Sequence, residues 1–381
     1  MINPTIVVVA FNKLYPLKRL LNSLKKAKYP PNTRIIFSVD KGGKSEVLNI
    51  VNNFRWPFGK KIVLKQEEHL GLRNHIIKCG DLTKEFDSII LLEDDLYISP
   101  MFYEYSVKAL EYYQNANNIA GISLYSLSHN IFTGFPFIPI IDENDVFFLQ
   151  IPASWGEVWS ENQWFEFKKW YKNNNKALKP YYGFPSTVLH WPESSWAKYF
   201  WSYMVQTNKY FVYPRTSFTT QFGDTGIHTT KKTTFFQVPL QLRKKDFKFV
   251  SFENSIAIYD SFYELSPEIM KDLLDRFSDY SSFTLDLHGT KDLNEIATDY
   301  VLTSKSCKEE IFSFGKELKP VEMNIIENIE GDKIVFCKKT SIQDRKLSKL
   351  IRKQKDFLFY YKDLTKKKLL VLLLFKILKK I

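Results

Sequence analysis

Four short apolar runs, each followed by a segment of helical character, fill the first hundred residues and leave this chain few ways to fold. Thr5–Phe11 (TIVVVAF), Arg34–Val39 (RIIFSV), Lys61–Lys65 (KIVLK) and Ser88–Leu92 (SIILL) read as strands. Between them, Leu17–Lys26 carries leucines at 17, 20, 21 and 24, and Ser45–Phe54 and Leu72–Lys84 read as further helices. Met101–Gln114 gives a fourth helix after the last strand. Alternation of this kind implies a mostly parallel sheet covered by helices on both faces. Ligands in such sheets sit at the carboxyl ends of the strands. Asn12, Asp40 and the run Glu93-Asp94-Asp95 all fall at those ends.

The acidic run is the most chemically informative part of the chain. Three carboxylates that follow a buried strand are costly unless something cationic neutralises them. Mg²⁺ or Mn²⁺ does this while keeping positions open for phosphate oxygens. A solvated acidic turn is the plainer alternative for three acids taken alone.

Length and charge set the outer bounds. The 381 residues suffice for one large domain or two. Cys79, Cys307 and Cys337 stand apart with no metal-binding spacing and no disulfide framework, which fits a reducing compartment. The apolar stretch near the N-terminus is strand-length and lacks a preceding charged region, so no signal peptide is expected. The net charge of +12 is concentrated at one end: residues 345–381 hold 13 Lys/Arg against Asp356 and Asp363, which is +11. A nucleic-acid protein would carry its basic stripe on the folded body, so none is expected as a partner. The tail joins its cations to LLVLLLF at 369–375, too short to cross a bilayer. A basic amphipathic helix lying on an anionic membrane is the expectation.

GGKS at 42–45 suggests a phosphate-binding loop, but that pattern needs glycine at position 38, which is serine. No GxGxxG follows the first strand. A nucleotidyltransferase would open with a glycine-rich loop, and VVVAFNKLYP has no glycine.

VVVAFNK, SVD at 38–40, GLRNHIIKCGD at 71–81, LLEDDLYISPMFYEY at 91–105, SWGEVW at 154–159 and YFVYPRTSFTTQFGDTGIHT at 210–229 appear in this order. With these motifs the chain resembles inverting glycosyltransferases of the GT-A fold, chiefly the family 2 enzymes of bacterial surface-polysaccharide assembly. A more distant likeness is to the N-acetylglucosaminyltransferase I group. The resemblance covers roughly residues 4–230. It implies a Rossmann-like GT-A domain at 1–230, with a C-terminal α/β extension packed on it at 231–340; the tail expected on the membrane surface from its own charge and leucines is 341–381.

The resemblance also implies roles. Ala10, Phe11 and Asn12 would line a base pocket, and Asp40 would bond uracil or ribose; capping of the following turn is the alternative for Asp40. Arg73 and Lys78 would face the nucleotide, and Glu93 and Asp94 would contact ribose and donor sugar. Asp95 and His228 would bind the metal. His69 and His75 read as surface or capping groups. Trp155 and Trp159 are candidate acceptor-stacking rings, with core packing the alternative.

Inversion requires a carboxylate base. The family's Trp-Asp pattern falls on Trp196-Ala197, so the expected acid is alanine here. Glu193 is the first substitute and Glu157 the second. The implied reaction moves one sugar, from a UDP-sugar by family weighting, to a glycan or lipid-linked acceptor of a capsule, lipopolysaccharide or similar polymer. It would occur on the cytoplasmic face of the cell membrane. A non-catalytic carbohydrate-binding protein on the same scaffold is the competing reading.

Overall fold

The computed structural model describes residues 2–224, 233–343 and 365–377. The chain opens with β1 (Thr5–Ala10), α1 (Leu14–Leu24), β2 (Ile35–Val39), α2 (Ser45–Asn53), β3 (Lys61–Lys65), α3 (Gly71–Gly80), a single turn α4 (Thr83–Phe86) and β4 (Ser88–Glu93). The helix expected to run through Lys84 therefore breaks after Gly80. A Cβ at Gly80 would stand 2.1 Å from the Trp164 ring, and the Trp164 indole N–H donates to Asp81 at 2.8 Å. The residue that lets a neighbouring tryptophan dock is also a poor helix former.

There follow β5 (Leu96–Ile98), α5 (Phe102–Tyr113), β6 (Ile119–Ser123), β7 (Val146–Leu149), β8 (Glu157–Ser160), α6 (Glu161–Asn174), α7 (Ser186–Leu189), α8 (Trp196–Gln206), β9 (Tyr210–Pro214), β10 (Thr219–Gln221) and β11 (Ile258–Tyr259). Nine of these strands form one sheet in the order β11-β7-β9-β6-β8-β4-β1-β2-β3. Five of its eight pairings are parallel; β8 is antiparallel to both β4 and β6, and β7 to β9. The α/β architecture expected from the sequence, a mostly parallel sheet flanked by helices, is what the chain adopts.

β1 and β2 are buried along their whole length, as β4 is through Leu92. Covering on both faces is what selects continuous Val/Ile/Leu runs rather than alternation. Each such side chain contributes roughly 1.5–3 kcal/mol on burial. The chain steps outward from β1 to β2 to β3, then returns across β1 to β4. Right-handed crossovers therefore put α1 and α2 on one face and α3 on the other. Packing agrees: α1 lies on α2, whereas α3 and α6 both pack on α8. The reversal places a topological switch point between β1 and β4, where a crevice opens at the strand ends.

Past residue 230 the large sheet is not finished, because β11 pairs with β7 through Ile258 and Phe148. The remaining elements are α9 (Pro267–Leu273), β12 (Thr284–Asp286), β13 (Tyr300–Thr303), β14 (Phe312–Phe314), α10 (Met323–Ile326) and β15 (Ile334–Lys338). Four of these strands make a second sheet in the order β12-β13-β15-β14. Its pairing brings together two cysteines that stand apart in sequence: the Cys307 and Cys337 sulfurs are 2.6 Å apart, both as free thiols.

A last helix spans Lys366–Ile377. At about 100° per residue, its exposed Leu369, Leu370, Val371, Leu373 and Leu374 spread over more than half the circumference. Apolar character thus exceeds one face, and the lysines in this stretch fall at its ends, at 366–368 and 376. No helix among the described residues is long and apolar enough to cross a membrane.

Candidate functional site

The switch point gathers the ends of β1 and β4. The Phe11 amide donates to Asp94 at 3.3 Å, joining the first loop to the acidic run 83 residues later. The Lys13 ammonium lies 2.6 Å from Asp95 Oδ2 and 3.8 Å from Asp94 Oδ1. Lys13 is the residue that sequence reasoning missed. Its partners are remote in the chain, and only the β1–β4 pairing makes them neighbours; a lysine at the end of an apolar strand was the available signal.

One lysine does not complete the site. Asp95 Oδ1 is out of contact with water and has no hydrogen-bond partner among the described residues. Burial, then the neighbouring Asp95, pushes the Glu93 carboxyl up to about 8. Burial also lifts Asp94 to about 6, with Lys13 opposing the rise. Negative charge here is under-compensated, the condition under which a further cation binds favourably. The described residues hold no group of three or more His, Cys, Asp or Glu side chains arranged for a metal. The donor set instead fits an ion that takes one or two carboxylates from the protein and the rest of its oxygens from a phosphate ligand.

Asp40 ends β2 and is committed to the protein. Its carboxylate accepts from the Leu70, Gly71 and Lys41 amides at 2.9, 3.0 and 2.9 Å, so it fastens the start of α3 to the sheet. The His69 ring is 3.0 Å from the same carboxylate and stacks on Phe11, with centroids 5.2 Å apart. The alternative role foreseen for Asp40, capping, is the one its contacts describe. His75 is not on the surface: it is buried beneath the site, 2.7 Å from the Ser38 hydroxyl. Gly43 explains the glycine-rich turn after β2, since a Cβ there would meet the Phe11 carbonyl oxygen at 1.9 Å. The turn thereby braces the Phe11 backbone. Ala10 is buried at the end of β1, while Asn12 is exposed in the loop beyond it.

α3 runs back from the strand ends, so only its first turn can face the crevice. Arg73 lies there, its guanidinium 4.7 Å over the Tyr199 ring and 4.0 Å from Glu193. Lys78 is exposed in the last turn of α3, about one and a half turns along the helix from Arg73.

The two candidate bases have opposite environments. Glu157 is fully buried on β8, opposite Leu91 of β4 and Ser123 of β6. Neither carboxyl oxygen has a hydrogen-bond partner among the described residues. Burial, then Glu93, holds it well above the usual carboxyl range. A carboxyl wholly buried inside the sheet is out of reach of an acceptor hydroxyl, and this removes Glu157. Glu193 is 56% exposed and sits 2.6 Å from the buried Lys198 ammonium, with the Tyr199 hydroxyl also donating to it. Hydrogen bonds from Lys198 and Tyr199 hold its carboxyl below the usual range. Ala197 occupies the first turn of α8.

The two candidate sugar-stacking rings also separate. Trp159 is in the core between Trp164, Trp196 and Phe200, with no face free for a ligand; this is a correction to the expectation for it. Trp155 is half-buried, edge-on to Tyr125 at 4.6 Å and near Phe236 at 5.3 Å. His228 lies outside the described residues. The segment before it is held against α1, where Asp224 pairs with Arg19 and the Arg19 guanidinium stands 3.9 Å over the Phe222 ring. β10 in turn pairs with β5, directly after the acidic run.

No protein-family model and no curated protein sequence matches this chain. Solved structures are similar to it at low identity. Residues 1–349 of S. aureus TarS in complex with UDP-GlcNAc align over 60% of this chain and 61% of that one, at 12% identity and a TM-score of 0.38. GalNAc-T7 with UDP, GalNAc and Mn²⁺ aligns over 56% of this chain and 42% of its own, at 12% identity and a TM-score of 0.38. The mannosyltransferase PcManGT from Pyrobaculum calidifontis, with GDP-Man and Mn²⁺, aligns over 44% and 46% at 9% identity and a TM-score of 0.33. Across six of the solved structures it matches, the chain spans between 36% and 61% of their length.

Proposed function

We propose that this chain is a GT-A glycosyltransferase that moves one sugar, with inversion, from a nucleotide-sugar to a glycan or lipid-linked acceptor. The observation that carries this reading is the under-compensated Glu93-Asp94-Asp95 run at the β1–β4 switch point, facing Lys13. A diphosphate leaving group needs positive charge where its own charge develops. Lys13 supplies part of it, and Arg73 stands nearby at the head of α3. Asp95, assisted by Asp94, would hold Mn²⁺ or Mg²⁺, which supplies Lewis-acid stabilisation of the departing diphosphate when bound. Phe11 and His69 offer a stacked ring pair beside the crevice, suited to a nucleobase.

Glu193 is the proposed base. It is ionised at neutral pH, exposed, and carried in the segment leading into α8. UDP is the proposed nucleotide and a bacterial surface polysaccharide the proposed product, both from the motif resemblance. The leucine-rich helix 366–377, with the basic run before it, is the proposed attachment to the cytoplasmic membrane surface. Deleting 345–381 should release the protein from anionic vesicles; equal binding by the truncated protein would reject that attachment.

One feature favours the non-catalytic alternative: Ala197 stands where the family places its acid, and Glu193 is tied to Lys198 and Tyr199. A thermal-shift panel of nucleoside diphosphates and nucleotide-sugars, each with and without Mn²⁺, tests the main reading. A metal-dependent rise for one nucleotide-sugar, lost in Asp95→Ala, is expected. No response to any nucleotide from a folded protein would move the function to carbohydrate binding alone.

A further inference from the structure

A cavity of about 350 Å³ lies between the loop at Phe132, the start of α7 and the segment 262–295. We propose that it binds a neutral sugar or amino sugar, and that it positions the acceptor of the reaction; the second clause rests on the transferase reading, the first does not.

The chemistry of the walls selects the ligand. Phe132, Phe262 and Trp191 supply aromatic side chains to the lining, and Ser186 and Thr187 supply hydroxyls. Asp292 and Glu295 complete the polar side, and no Lys or Arg is among the described lining residues. The Lys291 ammonium, 5.1 Å over the Phe262 ring, is taken up by Asp260 at 2.6 Å, so the two carboxylates disfavour phosphates, nucleotides and acidic sugars. A pyranose has the matching character, with C–H faces for rings and hydroxyls for the polar wall. The volume sits near the lower end of the roughly 300–1,000 Å³ typical of ligand pockets, enough for a mono- or disaccharide.

The walls are built rather than incidental. Glu295 accepts from the Ser186 amide at 2.8 Å and from the Asp292 amide at 2.7 Å, tying α7 to the C-terminal segment. Phe132 is fixed by its amide donating to Asn130 at 2.9 Å, with its ring 5.7 Å from Phe262. Trp191 packs edge-on against Trp201 at 5.7 Å.

The cavity also adjoins the proposed base. Trp191 is two residues from Glu193, and its carbonyl accepts at 3.1 Å from the same Lys198 ammonium that holds Glu193. Glu193 leads on to Arg73 and the donor crevice. A sugar seated against Trp191 would thus lie beside the acceptor's base.

The test is saturation-transfer NMR on the full chain with glucose, galactose, mannose, N-acetylglucosamine and N-acetylgalactosamine, and with glucuronate and UDP for comparison. We expect transfer to at least one neutral sugar and a weaker or no response with glucuronate. Thr187→Trp, which fills the mouth from an exposed position, should abolish the sugar signal and leave UDP binding intact. Absence of transfer to every neutral sugar, or transfer unchanged in Thr187→Trp with its thermal unfolding preserved, overturns the pocket. Sugar binding without nucleotide binding would keep the pocket and reject the transferase; nucleotide binding without sugar binding would do the reverse.

Discussion

Two clusters of three acids with lysine sit in this molecule, and they are built differently. In the C-terminal half, Asp260, Glu264 and Asp286 meet Lys291 and Lys305. Asp260 accepts from the Phe262 and Glu264 amides and from Lys291 at 2.6 Å. Glu264 accepts from the Leu287 and His288 amides, both at 2.9 Å. Asp286 accepts from the Lys291 amide and Thr303, with Lys305 at 3.4 Å. Every carboxylate oxygen there has a partner. At the β1–β4 switch point a single lysine faces three acids, and one Asp95 oxygen has none among the described residues. A completed network holds loops and sheet together; an incomplete one at strand ends leaves negative charge that a cation can neutralise.

The contrast breaks most sharply at Asp286. Its side chain and that of Lys305 are almost wholly buried. Asp286→Ala should cost about 3–5 kcal/mol, because it removes the carboxylate that compensates a buried ammonium. Denaturant unfolding measures it, and a loss under about 1 kcal/mol would erase the distinction between the clusters.

Glu322 is the exception within the C-terminal half: it is buried, and its Oε2 has no hydrogen-bond partner among the described residues. Burial raises its carboxyl to about 7. The folded protein therefore keeps a proton that the unfolded chain releases near its ordinary value of 4.5. Stability should fall as pH climbs through that window and level off above it. Glutamine does not titrate, so the stability of Glu322→Gln relative to wild type should grow from pH 4.5 to 7, by up to about 3 kcal/mol. Unfolding free energies across pH measure it, and a flat difference would show that Glu322 is ionised and partnered when folded.

At the switch point the signs reverse. Asp95→Ala should leave thermal stability unchanged or raised, since it removes one of several crowded negative charges. It should weaken Mn²⁺-dependent nucleotide binding by more than the roughly 100-fold that loss of an outer-shell partner can cause. Calorimetric titration decides between this and a purely structural role. The smallest effect is expected for Lys13→Met. Its ion pair is partly exposed, so stability should change by less than about 1 kcal/mol. Metal-free affinity for UDP should nonetheless drop, and an unchanged value would remove Lys13 from the phosphate site.

Local patterns made much of this legible. Lys61–Lys65 is a strand with the bounds its residues suggested, and α2 and α5 fall within a residue of expectation at each end. The acidic run stood out in the sequence because three charges after a buried strand conflict with burial. Contacts made across the sheet were not readable. Trp159 and Trp155 share one motif, yet one is core and the other half-open, because β8 is sandwiched whereas the turn before it is not. Glu157 looked like a base until β4 and β6 closed on both sides of it.

The sequence by itself determined the parallel order of the opening strands, through continuous apolar runs that only a doubly covered sheet can bury. It also determined that charge would collect at the end of β4 and in the tail. Tertiary structure alone decided which cation meets that charge, which carboxylates are taken up by backbone amides, and which aromatic rings border a cavity. Each of those depends on groups tens to hundreds of residues apart, and chain folding brings them within the few ångströms over which hydrogen bonds and desolvation act.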